Sequence, residues 1–465
     1  MWAWCSVDWM GATLTPSWPA ALYAARRAQL ARTVGQGLVL LRGHADSPVN
    51  YRDNCYPFRQ DSTLLYFSGL ATPNLALLLD CDSGQSTLLA DEPQPDDIVW
   101  TGPTPGRGLV AASAGIEHHA PLSELNQRLQ LHQRQGRTVH QLPTARGGGH
   151  HAVSPTLLRA VIDMRAVKSA EEVAQIEEAL HTTRDMHHLA MRQARTGVVE
   201  QAVVGAMEGL VSARGLRMAY APIVSSRGEI LHNHDHSRTL KDGDIVVNDS
   251  GAESPRGYAS DITRTIPASG RFTPLQKDIY NLVLDAQTQA IALLQPGVPY
   301  RQAHERACTV LVEGMIAMGF MRGNAAEAVQ CGAHAIVFPC GTGHMMGLDV
   351  HDMEGLGEEH VGYGQGFSRS PLHGHRYLRM ARPVQPGFVL TVEPGIYFNP
   401  WQAQQWQAQG LHSHFINFDA MARHMDFGGV RIEDDVLITD SGARVLGPHI
   451  ARTVQEVEAA CAGAA

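Results

Sequence analysis

The feature that most constrains this chain is a set of acidic side chains inside, or at the ends of, apolar and β-branched runs. Four carboxylates and one imidazole share this setting: Asp249, Asp261, His344, Glu393 and Glu433. Their runs, IVVNDSG, YASDITRT, GTGHMMGLDVHD, LTVEPGIYF and GGVRIEDDVLIT, are typical of strands or strand ends. Carboxylates are rarely buried without a partner, because removing a charge from water is costly. The pattern therefore predicts a buried cation, and a pair of divalent metal ions is the simplest solution.

The spacing of the first two carboxylates predicts how they meet. Asp249 and Asp261 flank the segment GAESPRGYAS, which has the composition of a hairpin connection. Antiparallel pairing across such a loop brings both residues to one point. Oxygen ligands with a single imidazole suit hard divalent cations such as Mn²⁺, with Co²⁺, Fe²⁺ or Zn²⁺ as alternatives. Carboxylates that bridge two such ions hold them about 3.5–4 Å apart, where they activate a shared water.

The bulk composition argues against several classes of protein. A chain of 465 residues with 44% hydrophobic and 18% charged residues is typical of a globular protein of two or three domains. The net charge of −9 argues against nucleic acid or an anionic membrane as the main partner. No apolar stretch has the length of a membrane span, and the N-terminal segment lacks the pattern of a secretory signal. Seven cysteines without a CxxC motif favour a reducing compartment, so we expect a cytoplasmic protein.

The first part of the chain alternates helix and strand signals. RRAQLARTV is typical of a short helix, whereas QGLVLLRGH, TLLYFSGL, NLALLLD and STLLADE are typical of strands. This alternation predicts an α/β domain. The stretch TARGGGHHAVSPT, at 144–156, has the composition of a linker. We therefore predict an N-terminal domain over residues 1–163 and a C-terminal domain over residues 164–465.

Capping signals predict long helices in the second domain. Ser169 and Glu172 form a capping box before one helix, and Thr273 and Gln276 form another before a second. A third helix is predicted over RQAHERACTVLVEGMIAMG. The stretch 398–426, rich in Gln, Trp and His, is predicted to be an insertion-like loop.

In this order, the motifs resemble the creatinase/aminopeptidase P/methionine aminopeptidase superfamily, the pita-bread metallopeptidases of peptidase family M24. NDSGAES…GYASDITRT, GTGHMMGLDVHD, LTVEPGIY and GVRIEDD are the specific part, and FRQDSTLLYFSGL at 58–70 is similar to a signature of the family's N-terminal domain. The likeness covers about residues 17–455 and is greatest to Xaa-Pro aminopeptidases (aminopeptidase P) and their sister Xaa-Pro dipeptidases. It implies an α/β N-terminal creatinase-like domain and an α+β pita-bread catalytic domain.

The resemblance implies a metal role for each of the five residues of the opening pattern. Asp261 and Glu433 would bridge two divalent ions, of which Mn²⁺ is the expected metal. Asp249 would bind one ion, and His344 and Glu393 would bind the other.

The resemblance also implies catalytic and substrate-binding residues. His232, in EILHNHDHS, and His351, in LDVHD, match the family's histidines near the scissile carbonyl. With Glu393 they are the expected catalytic residues, and both histidines are expected to contact substrate. Tyr397 and Arg431 match positions that support the ligands and the substrate.

One position departs from the family pattern. Cys340 stands four positions before His344, where the family usually has a histidine that contacts substrate. A thiol is smaller and donates a weaker hydrogen bond. The expected consequence is altered substrate affinity or rate, with the metal site intact.

The activity implied by the resemblance is metal-dependent hydrolysis of the N-terminal peptide bond before a proline in second position. A bridging hydroxide would attack the carbonyl carbon, Glu393 would move the proton to the leaving nitrogen, and His351 and His232 would stabilise the tetrahedral species. The partners implied are peptides and further copies of the chain, as a dimer or tetramer.

Several alternatives remain at the level of sequence. An Xaa-Pro dipeptidase (prolidase) would differ by loops that close the site behind the second substrate residue, and 355–382 and 398–426 are candidates. A methionine aminopeptidase is disfavoured by the separate N-terminal domain. A binding-only member and a metal-free hydrolase of the creatinase type are disfavoured because all five ligand types are present.

Overall fold

The structure is a computed structural model that describes residues 18–143 and 152–463. The chain divides into two compact units, Met1–Arg165 and Ala166–Ala465. The sequence predicts a boundary between residues 163 and 164. In the structure, this position lies near the C-terminal end of the helix Pro155–Ala166. Most of the predicted linker, residues 144–151, falls outside the described residues.

The first unit is an α/β domain built on a mixed five-stranded sheet of order β6-β5-β4-β1-β7. Its strands are β1 Leu38–Arg42, β2 Pro48–Tyr51, β3 Asn54–Cys55, β4 Ala76–Asp80, β5 Ser86–Leu89, β6 His118–Ala120 and β7 Val139–Gln141. The helices of this part of the chain are α1 Ala20–Val34, α2 Ser62–Ser68, α3 Asp97–Thr101, α4 Arg107–Ser113, α5 Leu125–Arg134 and α6 Pro155–Ala166. Antiparallel pairs β1–β4 and β4–β5 form the centre, with β7 and β6 parallel at the two edges. The sheet packs its apolar face on α5, where Leu125 and Leu129 are buried.

One strand predicted for this unit is wrong, because TLLYFSGL forms helix α2. The side chain of Asp61 caps the helix by accepting a hydrogen bond from the backbone N–H of Leu64 at 2.8 Å. Gly69 ends it in the left-handed conformation, at φ +70°. A short apolar run does not by itself distinguish a strand from a buried helix. The N-cap residue is the local signal that decides it.

The second unit contains short strands and long helices in alternation. Its strands are β8 Ile223–Ser225, β9 Ile245–Asp249, β10 Thr263–Pro267, β11 Val389–Val392, β12 Gly395–Tyr397, β13 Gly429–Arg431, β14 Asp434–Thr439 and β15 Gly442–Val445. Its helices are α7 Ala170–Gln193, α8 Glu200–Ala213, α9 Pro274–Leu293, α10 Tyr300–Ala317, α11 Ala325–Gln330, α12 Pro400–Ala408, α13 Phe418–Ala422 and α14 Val454–Cys461.

The predicted capping boxes are confirmed at α7 and α9, where Ser169 with Glu172 and Thr273 with Gln276 satisfy the first backbone N–H groups. The third predicted helix is α10, which packs against α9. The prediction of a loop over 398–426 is wrong, because α12 and α13 form there. Asparagine side chains cap both helices, and their polar composition reflects exposure rather than irregular structure.

Strands bring four of the five candidate residues together. Strand β9 pairs antiparallel with β10, with Thr263 opposite Asp249, which confirms the hairpin prediction. Asp249 is the last residue of β9, and Asp261 lies two residues before β10. Glu393 follows directly after β11, and Glu433 lies between β13 and β14. Strand ends are therefore where the acidic residues converge.

The prediction that His344 lies in a strand is wrong. The run GTGHMMGLDVHD is irregular, and only Met345 makes an isolated bridge, with Leu390 on β11. The glycines of this run explain the difference, since glycine interrupts strands and allows close approach of the backbone. Among the residues that the structure describes, no helix is both long and apolar enough to cross a membrane.

Candidate metal centre and active-site cavity

The candidate residues line one cavity of about 620 Å³ in the second unit. Those on its wall are Asp249, Asp261, His344, Glu393, Glu433, His232, His351, Cys340 and Arg431. Tyr397 is fully buried and contacts the site through Arg431, whose Nη1 donates to its hydroxyl at 3.0 Å. We call the five residues with carboxylate or imidazole ligand groups (Asp249, Asp261, His344, Glu393 and Glu433) the carboxylate centre.

His344 lies in the middle of the carboxylate centre. Its Nε2 is 3.4 Å from Asp261 Oδ2 and 3.6 Å from Glu393 Oε1. Its Nδ1 donates to the backbone carbonyl of Met345 at 3.0 Å, which turns Nε2 towards the carboxylates. One ligand atom from each of Asp261, His344 and Glu433 lies within 4.8 Å of the other two. This is the arrangement of groups that share a cation.

The electrostatics of the centre favour a cation as well. Burial raises the pKa of the Asp249 carboxyl, and it raises the pKa of Glu393 to about 7. Burial, followed by the charges of Asp261 and Glu393, raises the pKa of Glu433 well above its usual range. Burial lowers the pKa of His344, but its hydrogen bond to Asp261 and the nearby carboxylates outweigh this, and the pKa rises to about 9. Four crowded carboxylates are costly to ionise alone, and divalent ions with oxygen preference fit them.

Arg431 partly balances this negative charge. Its Nη2 donates to Asp249 Oδ2 at 2.6 Å, and its Nε donates to Thr263 Oγ1 at 3.1 Å. The Thr263 hydroxyl in turn donates to Glu433 Oε2 at 2.6 Å. Arg431 therefore orients two carboxylates at opposite ends of one short hydrogen-bonded chain.

Two residues of the site were missed from the sequence. The hydroxyl of Tyr220 donates to Asp249 Oδ1 at 2.6 Å and contacts Asp261 Oδ1. Asp435 is fully buried, and its Oδ2 accepts from the backbone N–H of Asp261 at 3.0 Å. Tyr220 lies in the apolar run MAYAPIV, where nothing in the sequence indicates a functional role. Asp435, in IEDD, could have been found, because it is an acidic residue in an apolar strand.

The two predicted histidines provide neutral imidazoles at the cavity wall. The rings of His351 and His344 lie 4.3 Å apart between centroids, at 71°. Desolvation, followed by the positive charge of His344, lowers the pKa of His351 to about 2. Desolvation also lowers the pKa of His232. Next to His351, Asp352 pairs with Lys168 at 2.9 Å in the interior, which anchors this segment.

Cys340 lines the cavity at the position where the family pattern has histidine. Burial raises the pKa of its thiol to about 12. The thiol is therefore neutral at physiological pH and offers only a weak hydrogen-bond donor.

One of the two predicted closing segments lies at the cavity. Glu358, Arg369, Tyr377 and Arg379 line it, and all belong to 355–382. The segment 398–426 contributes no lining residue among those described. Both arginines already have acidic partners: Arg369 pairs with Glu358 at 3.0 Å, and Arg379 pairs with Glu354, which precedes the segment.

Comparison with known proteins agrees with this geometry. A model of metallopeptidase family M24 matches residues 174–440, and a model of the aminopeptidase P N-terminal domain matches residues 23–140. A probable Xaa-Pro aminopeptidase of Metarhizium acridum is 30% identical over 98% of this chain and 92% of its own length. The Xaa-Pro dipeptidase of Homo sapiens is 29% identical, over 98% of this chain and 96% of its own.

Solved structures give the same picture. Zinc-substituted aminopeptidase P of E. coli in complex with product superposes with a TM-score of 0.77 at 28% identity, covering 97% of this chain and 99% of its own. Aminopeptidase PepP of Pseudomonas aeruginosa superposes with a TM-score of 0.77 at 28% identity, covering 96% and 99%. The chain therefore belongs to metallopeptidase family M24, as a metal-dependent hydrolase of the aminopeptidase P type with an α/β N-terminal domain and a pita-bread catalytic domain.

Proposed function

We propose that this protein is an Xaa-Pro aminopeptidase, which removes the N-terminal residue from peptides with proline in second position. The observation that carries the proposal is the convergence of the five predicted ligands on one cavity. The names of the similar proteins, Xaa-Pro aminopeptidases and an Xaa-Pro dipeptidase, supply the substrate class.

The carboxylate centre would hold two divalent ions, and Mn²⁺ is the proposed metal because oxygen donors dominate. Asp261 and Glu433 would hold both ions, Asp249 would hold one, and His344 and Glu393 would hold the other. When bound, such ions acidify water and polarise the scissile carbonyl.

Glu393 is the proposed general base and acid. Burial raises the pKa of its carboxyl above the ordinary value in the metal-free protein, which favours a group that takes up a proton readily. Any amide nitrogen is a poor leaving group until it receives a proton, and this holds for the prolyl nitrogen, which carries no hydrogen of its own. Glu393 supplies that proton to the leaving nitrogen.

His351 and His232 are the proposed donors to the oxygen that becomes negative during attack on the carbonyl. Both imidazoles are neutral, so each carries one N–H donor and adds no charge that would repel metal ions. Donors aimed at developing charge favour the transition state over the bound substrate.

The second candidate function is an Xaa-Pro dipeptidase, and one observation favours it. Arg369 and Arg379 line the cavity, and a guanidinium suits the free carboxylate of a dipeptide. Both arginines pair with nearby glutamates, Arg369 with Glu358 and Arg379 with Glu354, which reduces the net positive charge offered to a substrate. We therefore prefer the aminopeptidase.

The assembly and location of the protein are also proposals. We propose a homo-oligomer, dimer or tetramer, in the cytoplasm, without nucleic acid or membrane partners. Light scattering after size exclusion measures the assembly, and a mass of one chain, 50.5 kDa, would contradict it.

The test of function uses metal-stripped protein, with and without added Mn²⁺, on Arg-Pro-Pro and Gly-Pro. We expect Mn²⁺-dependent release of arginine from the tripeptide. Hydrolysis of Gly-Pro alone would make the protein a dipeptidase. Bound metal without turnover of either peptide would contradict both functions.

A further inference from the structure

A second group of metal-type side chains lies in the same unit, apart from the carboxylate centre. His304, His334 and His375 each present one ring nitrogen within 4.8 Å of the other two. We call these three residues the imidazole cluster. His304 and His334 are fully buried and His375 is half-buried. The ring centroids are 4.6 Å apart for His334 and His375, and 5.4 Å apart for His304 and His375.

Two of the three rings are held in the way that metal-binding imidazoles are held. His375 donates from Nε2 to the carbonyl of Val329 at 2.9 Å, so its Nδ1 carries the lone pair. His304 Nδ1 lies 2.8 Å from Thr342 Oγ1, and this oxygen accepts a hydrogen bond from Nδ1–H when Nε2 carries the lone pair. A metal-binding histidine generally donates its other N–H to a carbonyl, carboxylate or water, which fixes the ring.

The third ring, His334, is buried with unused ring nitrogens. Neither Nδ1 nor Nε2 has a hydrogen-bond partner of normal geometry among the described residues. The carbonyl of Val329 lies near His334 and accepts from His375, and even a second hydrogen bond to this carbonyl would leave one His334 ring nitrogen without a partner among the described residues. The backbone of Gly374 packs close to this ring, and a side chain would not fit there, since a Cβ would lie 2.5 Å from Nε2. Buried polar atoms are satisfied in the great majority of cases, so this ring points to a missing partner.

We propose that the imidazole cluster is a structural binding site for one divalent transition-metal ion of the zinc class. Three converging imidazoles suit Zn²⁺, Cu²⁺ or Ni²⁺ better than the hard ions that prefer oxygen. The site is enclosed, as structural zinc sites are. The thiol of Cys308 lies one helical turn from His304 on α10, with Sγ 3.6 Å from His304 Nε2. Burial raises the pKa of this thiol well above its usual value, so the thiol is neutral beside the three imidazoles.

The charge state of the cluster supports the assignment. Burial lowers the pKa of His304 to about 3, and it lowers the pKa of His334 well below its usual value. The rings are therefore neutral at physiological pH, which is the form that binds metal. No proton has to leave these two rings for an ion to enter.

Thr342 joins the imidazole cluster to the carboxylate centre. Its hydroxyl contacts His304, and its carbonyl accepts from the backbone N–H of Glu393 at 2.7 Å. The same carbonyl accepts from the hydroxyl of Tyr300, on α10, at 3.0 Å. An ion between the three imidazoles would hold α10 and Thr342 together behind the catalytic residue.

The test is anomalous diffraction from crystals of the full chain equilibrated with Zn²⁺, measured on both sides of the zinc edge. We expect one peak between the three imidazoles, separate from any peak at the carboxylate centre. No peak between the imidazoles overturns the proposal. Because the two sites are resolved in space, this outcome does not depend on whether the proposed peptidase function holds.

A matched pair of variants makes the test quantitative in solution. In His375→Gln, the amide nitrogen still reaches the Val329 carbonyl, but the Nδ1 ligand is lost. The control is His414→Gln, at an exposed histidine outside the cluster. After dialysis against micromolar Zn²⁺, metal analysis should find one equivalent less in His375→Gln than in wild type, and no loss in His414→Gln. Equal zinc in all three proteins overturns the proposal, and so does a crystal peak that appears only at millimolar zinc.

Discussion

The carboxylate centre and the imidazole cluster lie in one folding unit and differ in donor chemistry and in access. The centre offers four carboxylates and one imidazole on the wall of a cavity of about 620 Å³. The cluster offers three imidazoles, of which His304 and His334 are fully buried. Catalytic metal sites keep a position open for water or substrate, whereas structural sites are closed. Burial and donor type together therefore distinguish a catalytic metal site from a structural one.

The largest expected effect is at the reacting site. Glu393→Ala removes the proposed proton carrier, and general acid–base groups contribute about 10²–10⁴-fold to rate. We expect loss of Arg-Pro-Pro hydrolysis by at least that factor, measured as kcat with metal content determined on the same sample. Retained activity with metal bound would contradict the proposal that Glu393 is the general base and acid.

The second prediction separates the two regions directly. Glu433→Gln replaces a proposed bridging carboxylate by a neutral amide, so ions at the carboxylate centre should bind at least about 100-fold more weakly. The zinc peak at the imidazole cluster should persist, because its three ligands are unchanged. Glu208→Gln, at an exposed glutamate on α8, is the control. Loss of both peaks together would show that the two sites are not independent.

The third prediction concerns the cavity wall. His351→Asn removes a proposed donor to the developing oxyanion, and loss of one such donor costs about 10²–10³-fold in kcat. The exposed His360 provides the matched control, His360→Asn. We expect kcat to fall in His351→Asn with KM changed little. A change in KM alone would make His351 a substrate-binding residue without a part in the transition state.

The fourth prediction is a pH dependence of the metal-free protein. The pKa of Glu393 is about 7 in the folded state against an ordinary 4.5, so this group stabilises the fold below about pH 4.5 and loses that contribution as the pH rises to about 7. His344, raised to about 9 from 6.5, loses its contribution as the pH rises through 9. Both groups must be deprotonated to bind ions, so the increase in Tm on adding Mn²⁺ should grow from about pH 5 to 8.

Thermal melts of metal-free and Mn²⁺-loaded protein at several pH values measure this difference. In Glu393→Gln the melting temperature of the metal-free protein should depend less on pH, because the amide does not titrate. A difference in Tm that shrinks as the pH rises would contradict the cation role of the carboxylate centre.

The smallest expected effect is at Cys340. A neutral hydrogen bond contributes about 1 kcal/mol, or about fivefold in affinity. Cys340→His, which restores the residue of the family pattern, should change KM for Arg-Pro-Pro by about that factor while the metal content stays the same. A change in metal content would place Cys340 in the metal site instead of the substrate site.

The carboxylate centre could be predicted from the sequence because its signal is local. Each acidic residue lies in an apolar run of its own, and burying a charge among apolar residues is costly unless it has a partner. The antiparallel pairing of β9 with β10 was predictable for the same reason, since the turn residues lie between the two strands. The capping boxes at Ser169 and Thr273 likewise depend on residues three positions apart.

Features that depend on distant residues were not predictable. The imidazole cluster joins α10, a turn at residue 334 and a loop at residue 375, and none of the 24 histidines carries a local signal for it. Tyr220 reaches Asp249 and Asp261 only after two strands have paired. Helix α2 was missed for a different reason: a short apolar run fits either a strand or a buried helix, and the local capping signal of Asp61 was not weighed.

The position of Thr342 has a consequence for how the sequence of helix α10 can vary. Most buried helices accept substitutions that preserve volume and polarity. In α10, His304 and Tyr300 each form a hydrogen bond with Thr342. The carbonyl of Thr342 in turn accepts a hydrogen bond from the backbone N–H of Glu393. Among the described residues, α10 contributes none to the cavity wall. We nevertheless expect substitutions in α10 to affect the catalytic rate as well as the packing. Directed evolution of this enzyme would find rate-changing mutations there, behind the active site.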